Sequence, residues 1–571
     1  MSIGAQLSDL TSLPYDFVVG TTQLAINKAM LNYVQETTFP TVQVCWASND
    51  AGVPVLGDCA TLLSDSGVDF FSFANTTISP SNPAFGELVA ANFYGAVEVE
   101  IGIPGGVDVS TLPDIINLDG GERDVGFQMY CKEFHVIWFS ANIKNLGYTS
   151  AVQGPQFPWV YNATVNLDLQ STAQNSFGNL PPAVKAQVNN LQASGAAFSV
   201  QQLLFDLSTP GLAGSANLIG LGIAPGTTIY ELLNQDFLPA YMAAMEAAQS
   251  PVLGFAVVPA NGPASTLTMT GFNFEVMPYL DSNGGTVVNP SLIERELYSL
   301  NYVCVTGGRA VPPNTPLKWN WVDQSQLANG QTPPDGAIAI ARNQFAATIE
   351  GQLTSVATQM SMLPSTTVNF VASEAAWVFT YQLTTGQTPT VVAPASTTGA
   401  TVMSFTHSDS SSDIAGASGA PSAKTGLNTN YNMTVEFSGA AVTITQHMVV
   451  FMLCEALGTS ASGNIYDKTY VDTYALSANG GPQLVVTHTT SFHDDSVVPS
   501  VNPVLNAFLD VNGVINNIDA AVTPWLNNIF LDDLPVNLVQ NFIFPGGNTF
   551  NFTGVVFSQH QDLVASINYI I

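Results

Sequence analysis

The residues of this chain best suited to chemistry are His493, Asp494 and Asp495, an imidazole followed by two carboxylates. Such a trio could supply a general base with its orienting partner, or part of a cation site. Either role requires the side chains to converge on one point. His493 ends a β-rich run from Leu484 to Phe492, and the chain turns towards Pro499 soon after Asp495. Adjacent residues on a strand point to opposite faces, so the trio reads as a surface turn. His135, His407, His447, His488 and His560 stand singly in or beside strand-like runs, without metal-ligand spacing, and read as structural histidines. Asp532 and Asp533 read as the solvated end of a helix. Gly220, Gly222 and Gly226 miss the dinucleotide spacing, Gly416 to Gly419 misses GxSxG by one residue, and no P-loop or HExxH occurs. The expectation is a protein that is not an enzyme, with no catalytic residue, metal or cofactor. Met242, Met245, Met360 and Met362 are soft apolar residues that suit either an adaptable pocket or ordinary core, and core filling is the plainer reading.

With 571 residues the chain can bury large cores in two to four units. Charged residues are only 9%, against roughly 25% in ordinary domains, so Ser, Thr, Asn and Gln must wet the surface. Forty-two acidic residues against 11 basic ones give a formal net charge of −31. That balance excludes nucleic-acid backbones, which need clustered Lys and Arg, and disfavours anionic membranes. The opening residues carry neither a basic region nor a continuous apolar one, so no secretory signal is read and the expected setting is soluble, cytoplasmic or exported without a signal peptide. The run His447 to Leu457 is too short to span a bilayer. Five cysteines are scattered without a CxxC pair. Cys45 and Cys59 are close enough to bridge, but buried free thiols are the favoured reading. Sequons at Asn75, Asn162, Asn432 and Asn551 would matter only in a secretory pathway.

The chain is organised around Tyr15 to Glu36, YDFVVGTTQLAINKAMLNYVQE, which reads as a strand running into an amphipathic helix. Gly20, Thr21 and Thr22 offer a break and an N-cap, and Leu24, Ile26, Ala29, Met30 and Tyr33 form the apolar stripe. A similar unit returns at Gly336 to Leu353, GAIAIARNQFAATIEGQL, with Gln344 and Ala346 matching Gln23 and Ala25. Two such units suggest two related modules. Between them, Val311 to Asp335 is punctuated by proline and is the best boundary. The predicted division is therefore 1–310, a connection at 311–335, and 336–571.

Pro40 to Tyr161 reads as antiparallel strands, with Phe71 and Phe73 alternating in one and Val97, Val99 and Ile101 opposed to Glu98 and Glu100 in another. Helices are expected at Ala183 to Leu191, Val200 to Leu207 and Thr228 to Ala248, the last kinked at Pro239. Strands follow from Val252 to Val305, from Thr367 to Leu383, and from Met433 onward. Ser408 to Asn430 reads as a mobile loop because its residues are small and polar. Pro499 to Phe530 carries a long interrupted helical stripe, and the chain closes with a strand pair around Phe550 to Ile571.

The opening unit, with Asp16, Val18, Gly20, Asn27, Lys28, Leu31 and Tyr33, resembles the start of the forty-seven-kilodalton proteins of clostridial neurotoxin gene clusters. GAIAIARNQFAATIEGQL resembles their mid-chain strand and helix, and FNFTGVVFSQHQDLVASINY their terminal strand pair. That family falls in the tubular lipid-binding (TULIP) superfamily. The resemblance implies an α+β fold in which long amphipathic helices are wrapped by strongly curved antiparallel sheets, here as two TULIP-like modules. It implies non-enzymatic binding of a lipid or another elongated apolar ligand in a groove between helix and sheet, lined by Leu24, Ile26, Met30, Tyr33, Phe345, Ile349, Leu353 and Met360. The alternative is a toxin-associated or protein-interaction scaffold without a ligand, which would use an exposed Trp-containing loop, Leu317 to Val322, for a protein partner.

Overall fold

A computed structural model describes residues 4–8, 15–36, 38–109, 112–119, 124–141, 146–154, 159–171, 174, 182–194, 198–206, 217–219, 223–249, 252–259, 269–313, 315–322, 332–393, 399–417, 420–500, 515–520, 522, 542–543 and 550–570. It is an α+β architecture of antiparallel sheets. A six-stranded sheet at the centre has the order Met269–Met277, Ser299–Thr306, Phe17–Thr22, Gly336–Ile340, Leu563–Tyr569, Phe550–Phe557. Phe17 lies opposite Cys304 on one side and Ile340 on the other, so the two strand-helix units meet edge to edge in one sheet. On either side of that junction the pattern repeats: an opening strand, then the second strand of a late hairpin, then its first.

The central strands are buried on both faces, which is why they read as short continuous apolar runs. Phe17, Val19, Tyr302, Cys304, Ile338 and Ile340 belong to the main core. Val18, Val303, Ala337, Ala339 and Val564 face the other way, into a second cluster with Leu317, Trp319 and Trp321. Leu317 to Val322 is therefore not an exposed loop: Trp319 and Trp321 are 6% and 2% exposed, and Trp321 Nε1 donates to Asn301 Oδ1 at 2.7 Å. An indole needs extensive burial partners, and the back of the central sheet supplies them. Gly20 makes the fit. A Cβ there would lie 2.5 Å from the Trp321 ring. Gly20 thus sits within the strand Phe17–Thr22 and does not break it.

The first half supplies eleven strands of a twelve-stranded sheet around Phe93–Ile101, Asp124–Ala141 and Val160–Ser171, and Phe542–Ile543 adds the twelfth beside Val252–Pro259. Val97, Val99 and Ile101 are buried while Glu98 and Glu100 are partly exposed, as the alternation predicts. Phe70–Ser72 is a 3-10 turn and not part of a strand, because Asp69 accepts from the Phe71 N–H and ends the extended run before it starts. Short helices at Cys59–Ser66 and Pro83–Ala90, capped by Asp58 and Asn82, were not anticipated. Cys45 and Cys59 form a disulfide across Cα atoms 5.2 Å apart, contrary to the free-thiol reading, while Cys131, Cys304 and Cys454 are buried free thiols. The bridge staples the helix Cys59–Ser66 to the strand Val42–Ser48.

The expected helix at Val200 to Leu207 is a strand, Phe198–Asp206, paired on both sides with Val160–Ser171 and Val252–Pro259. Ladder pairing on two edges outweighs a helical spacing of apolar residues in so short a segment. Pro182–Ser194 is helical, and Thr228 to Gln249 forms one helical run. A π-turn at Leu233–Phe237 precedes Pro239, whose missing N–H and ring demand a break in the regular ladder.

The second half forms a meander of Thr390–Val392, Thr401–Ala417, Ala420–Ser438, Ala441–Ala456, Thr459–Ala478 and Leu484–Asp494. Apart from Ser418 and Gly419, which lie outside the described residues, Ser408 to Asn430 lies in two of these strands, paired from Ser408 opposite Asn430 to Ala417 opposite Ala420, and is not a loop. Its polar side chains have work to do. Ser411 Oγ and Asp413 Oδ2 accept from the Thr366 and Val368 N–H groups of the neighbouring hairpin, at 3.1 and 2.8 Å. Leu457 and Gly458 both have positive φ, 55° and 75°, the geometry of a two-residue hairpin turn. Residues 515–520 are helical; the rest of the Pro499 to Phe530 stripe except Val522, and Asp532 and Asp533, lie outside the described residues. No helix among the described residues is long and apolar enough to cross a membrane.

Candidate functional site

The two strand-helix units place their helices against the inner side of the central sheet, and each helix is held by polar contacts at its ends. In Gln23–Glu36, Thr22 Oγ1 accepts from the Ala25 N–H at 3.3 Å, which makes Thr22 the cap. Gln23 and Asn27, one turn apart, grip a short strand at Ile116–Asn117. Gln23 Oε1 accepts from the Leu118 N–H, and Asn27 bonds both the N–H and the carbonyl of Ile116 at 2.7 and 2.8 Å. Gln23 Nε2 donates to Asp114, whose carboxyl burial pushes up in pKa. Lys28 pairs with Asp335 at 3.2 Å. No spacing in the sequence marks these polar residues for such contacts.

The mid-chain helix Arg342–Met360 has no side-chain cap of its own. The Arg342 N–H instead donates to Asp562 Oδ1 at 2.9 Å and to Ser8 Oγ at 2.8 Å. A carboxylate at this end also suits the helix dipole. Phe345 packs with Phe437 and Phe557 at centroid distances of 5.2 and 5.8 Å, and those two rings stack at 4.7 Å. At the other end Ser361 Oγ donates to the Ala357 carbonyl.

Ile26, Met30, Phe345, Ile349, Leu353 and Met360 are all at most 2% exposed and belong to one apolar core. Tyr33 is half-buried, packs edge-on to Phe39 at 5.8 Å, and has its pKa pushed up to about 12 by burial. Leu24 is half-buried. Met242, Met245 and Met362 lie in the same core, so the structure gathers stripes from three helices into one continuous interior. What that interior offers chemically is apolar surface. A cleft of about 480 Å³ opens beside its edge, where Leu118, Val276, Met277, Leu280 and Leu317 meet Glu275. A second, of about 620 Å³, is lined by Glu98, Glu100, Glu133, Lys132 and His135.

His493 and Asp495 pair at 2.9 Å with side chains 72% and 62% exposed, on the surface as expected, but His493 and Asp494 still belong to the strand Leu484–Asp494 and form no turn. His447 pairs with Asp467 and His488 with Asp472, both at 2.8 Å, and His135 bonds Ser150 at 2.9 Å. No group of three or more His, Cys, Asp or Glu among the described residues is placed to hold a metal ion.

No family model and no curated protein matches the chain. Among solved structures it is similar to lipopolysaccharide binding protein, with a TM-score of 0.27 and 9% identity over 97% of this chain and 99% of that one. It is similar to P47 of Clostridium botulinum E1, with a TM-score of 0.43 and 9% identity over 97% and 99%. With P47 from Clostridium botulinum A2 the TM-score is 0.41 and the identity 12%, over 97% of both chains, so the solved structures similar to this chain include the proteins that the opening, middle and closing segments resemble.

Proposed function

We propose that this chain is a non-enzymatic binder of a lipid or another elongated apolar ligand, built as two TULIP-like modules, 1–310 and 336–571, joined through 311–335. The observation that supports it is the shared interior: helices Gln23–Glu36 and Arg342–Met360 turn Ile26, Met30, Phe345, Ile349, Leu353 and Met360 into one apolar core beneath long antiparallel strands. A ligand would enter by parting a helix from the strands that wrap it. Burial of about 25 cal/mol per Å² of apolar ligand surface would supply the affinity without covalent or metal chemistry. Curvature of the sheets around the helices belongs to this proposal. The scaffold alternative loses its docking residues, because Trp319 and Trp321 are already covered.

Mass spectrometry of an organic-solvent extract of the purified protein tests the reading, together with titration of the delipidated protein with N-phenyl-1-naphthylamine. A long-chain compound near stoichiometric amounts, or saturable dye uptake, is expected. Absence of both refutes it.

A further inference from the structure

The buried face of the C-terminal sheet is apolar along most of its length: Val435, Ile444, Met448, Val450 and Met452 are 0% exposed. Gln446 and Asp472 interrupt it. Gln446 is 0% exposed; its Oε1 accepts from the Tyr431 hydroxyl at 2.8 Å, while its Nε2 has no partner. Asp472 is 3% exposed; its Oδ1 accepts from Thr490 Oγ1 at 2.7 Å and lies 2.8 Å from His488 Nε2, while its Oδ2 has no partner. Gln446 stands opposite Tyr470 and Ile444 opposite Asp472, so the two residues share one face a single diagonal step apart. One bare donor and one bare acceptor thus lie on the same buried, otherwise apolar face. Buried polar groups without partners are uncommon and costly, and here two complementary ones adjoin.

We infer that Gln446 and Asp472 form the polar end of the apolar ligand site, and that the ligand is a neutral long-chain amphiphile ending in a hydroxyl group. The inference rests on the apolar-ligand reading above. A hydroxyl satisfies both atoms at once, accepting from Gln446 Nε2 and donating to Asp472 Oδ2. A fatty-acid carboxylate could accept from Gln446, but it would bring a second negative charge against Asp472. An alkane answers neither atom. Lys468 does not offset that repulsion, since its ammonium is held by Asp519 at 2.5 Å and lies 3.8 Å from Asp494. His488 and Thr490 hold the other carboxylate oxygen and so fix the direction in which Oδ2 points.

The test is displacement of N-phenyl-1-naphthylamine at pH 8 by dodecan-1-ol, dodecanoate and dodecane. The wild-type protein is expected to bind the alcohol about tenfold more tightly than either other chain, the factor for one hydrogen bond to a charged group. Gln446→Met, which keeps the bond to Asp472, should weaken the alcohol about fivefold, the factor for one neutral hydrogen bond, and leave the alkane unchanged. Asp472→Asn should raise dodecanoate affinity about tenfold, a gain that a merely damaged fold cannot give. Equal affinities for the three chains, as when a trapped water already serves both atoms, overturn the inference and leave the apolar-ligand reading standing. Failure to take up the dye or any chain overturns both.

Discussion

Replacing Asp562 by asparagine probes how the distant parts of this chain are tied together. Asp562 sits in the turn between the last two strands, is 0% exposed, and accepts from Ser8 Oγ at 2.5 Å and from the Arg342 N–H at 2.9 Å. Burial raises its pKa from 3.8 to about 6, against the hydrogen bonds from Ser8 and Arg342, which lower it. The sign follows from linkage. A carboxyl whose pKa is higher folded than unfolded contributes stability below the unfolded value, and loses it as the pH rises through the folded one. With these two values the loss between pH 5 and pH 7.5 is about 1–2 kcal/mol. Asparagine does not titrate and should lack this slope. Urea unfolding of both proteins across that range gives the difference in stability, in which the carboxylates common to both cancel. The wild type should lose about 1–2 kcal/mol relative to Asp562→Asn as the pH rises. A difference that stays flat would refute the burial of an ionisable Asp562 under Ser8.

Thiol titration in guanidinium without reductant should find three reactive thiols per chain, from Cys131, Cys304 and Cys454, and five only after reduction. Five before reduction would remove the Cys45–Cys59 bridge. Gly20→Ala should cost about 1–3 kcal/mol by overpacking, because the new methyl meets the Trp321 ring and Asn301 Oδ1. Thermal unfolding followed by tryptophan fluorescence reads it, and an unchanged midpoint would show that Trp321 does not lie on Gly20.

Much of the architecture was legible where pattern and burial coincide. The apolar stripe of Thr228 to Gln249, the alternation of Val97, Val99 and Ile101, and the strand-helix units all come from local periodicity, which reports the face that an element buries. Reading failed where a partner far along the chain decided the outcome. Val200 to Leu207 has helical spacing but lies between two strands that pair with it. Ser408 to Asn430 is too polar to suggest a core, yet its alternate residues Ala423, Thr425 and Leu427 are buried, and Ser411 and Asp413 bond another hairpin. Gln446 and Asp472 gave no signal, since a polar residue at one alternate position of each strand looks like chance until the register sets the strands side by side.

The sequence by itself determined that this chain is acidic, strand-rich and built on a repeated strand-helix unit, because composition and periodicity are local properties of the residues. Only the tertiary structure decided that the two units share one sheet, that Trp319 and Trp321 close its back, and that Asp562 caps a helix beginning at Arg342. Those contacts join residues up to several hundred positions apart. No local pattern encodes such partners; they are chosen by which buried surfaces and hydrogen-bonding groups still lack a complement once the elements have formed.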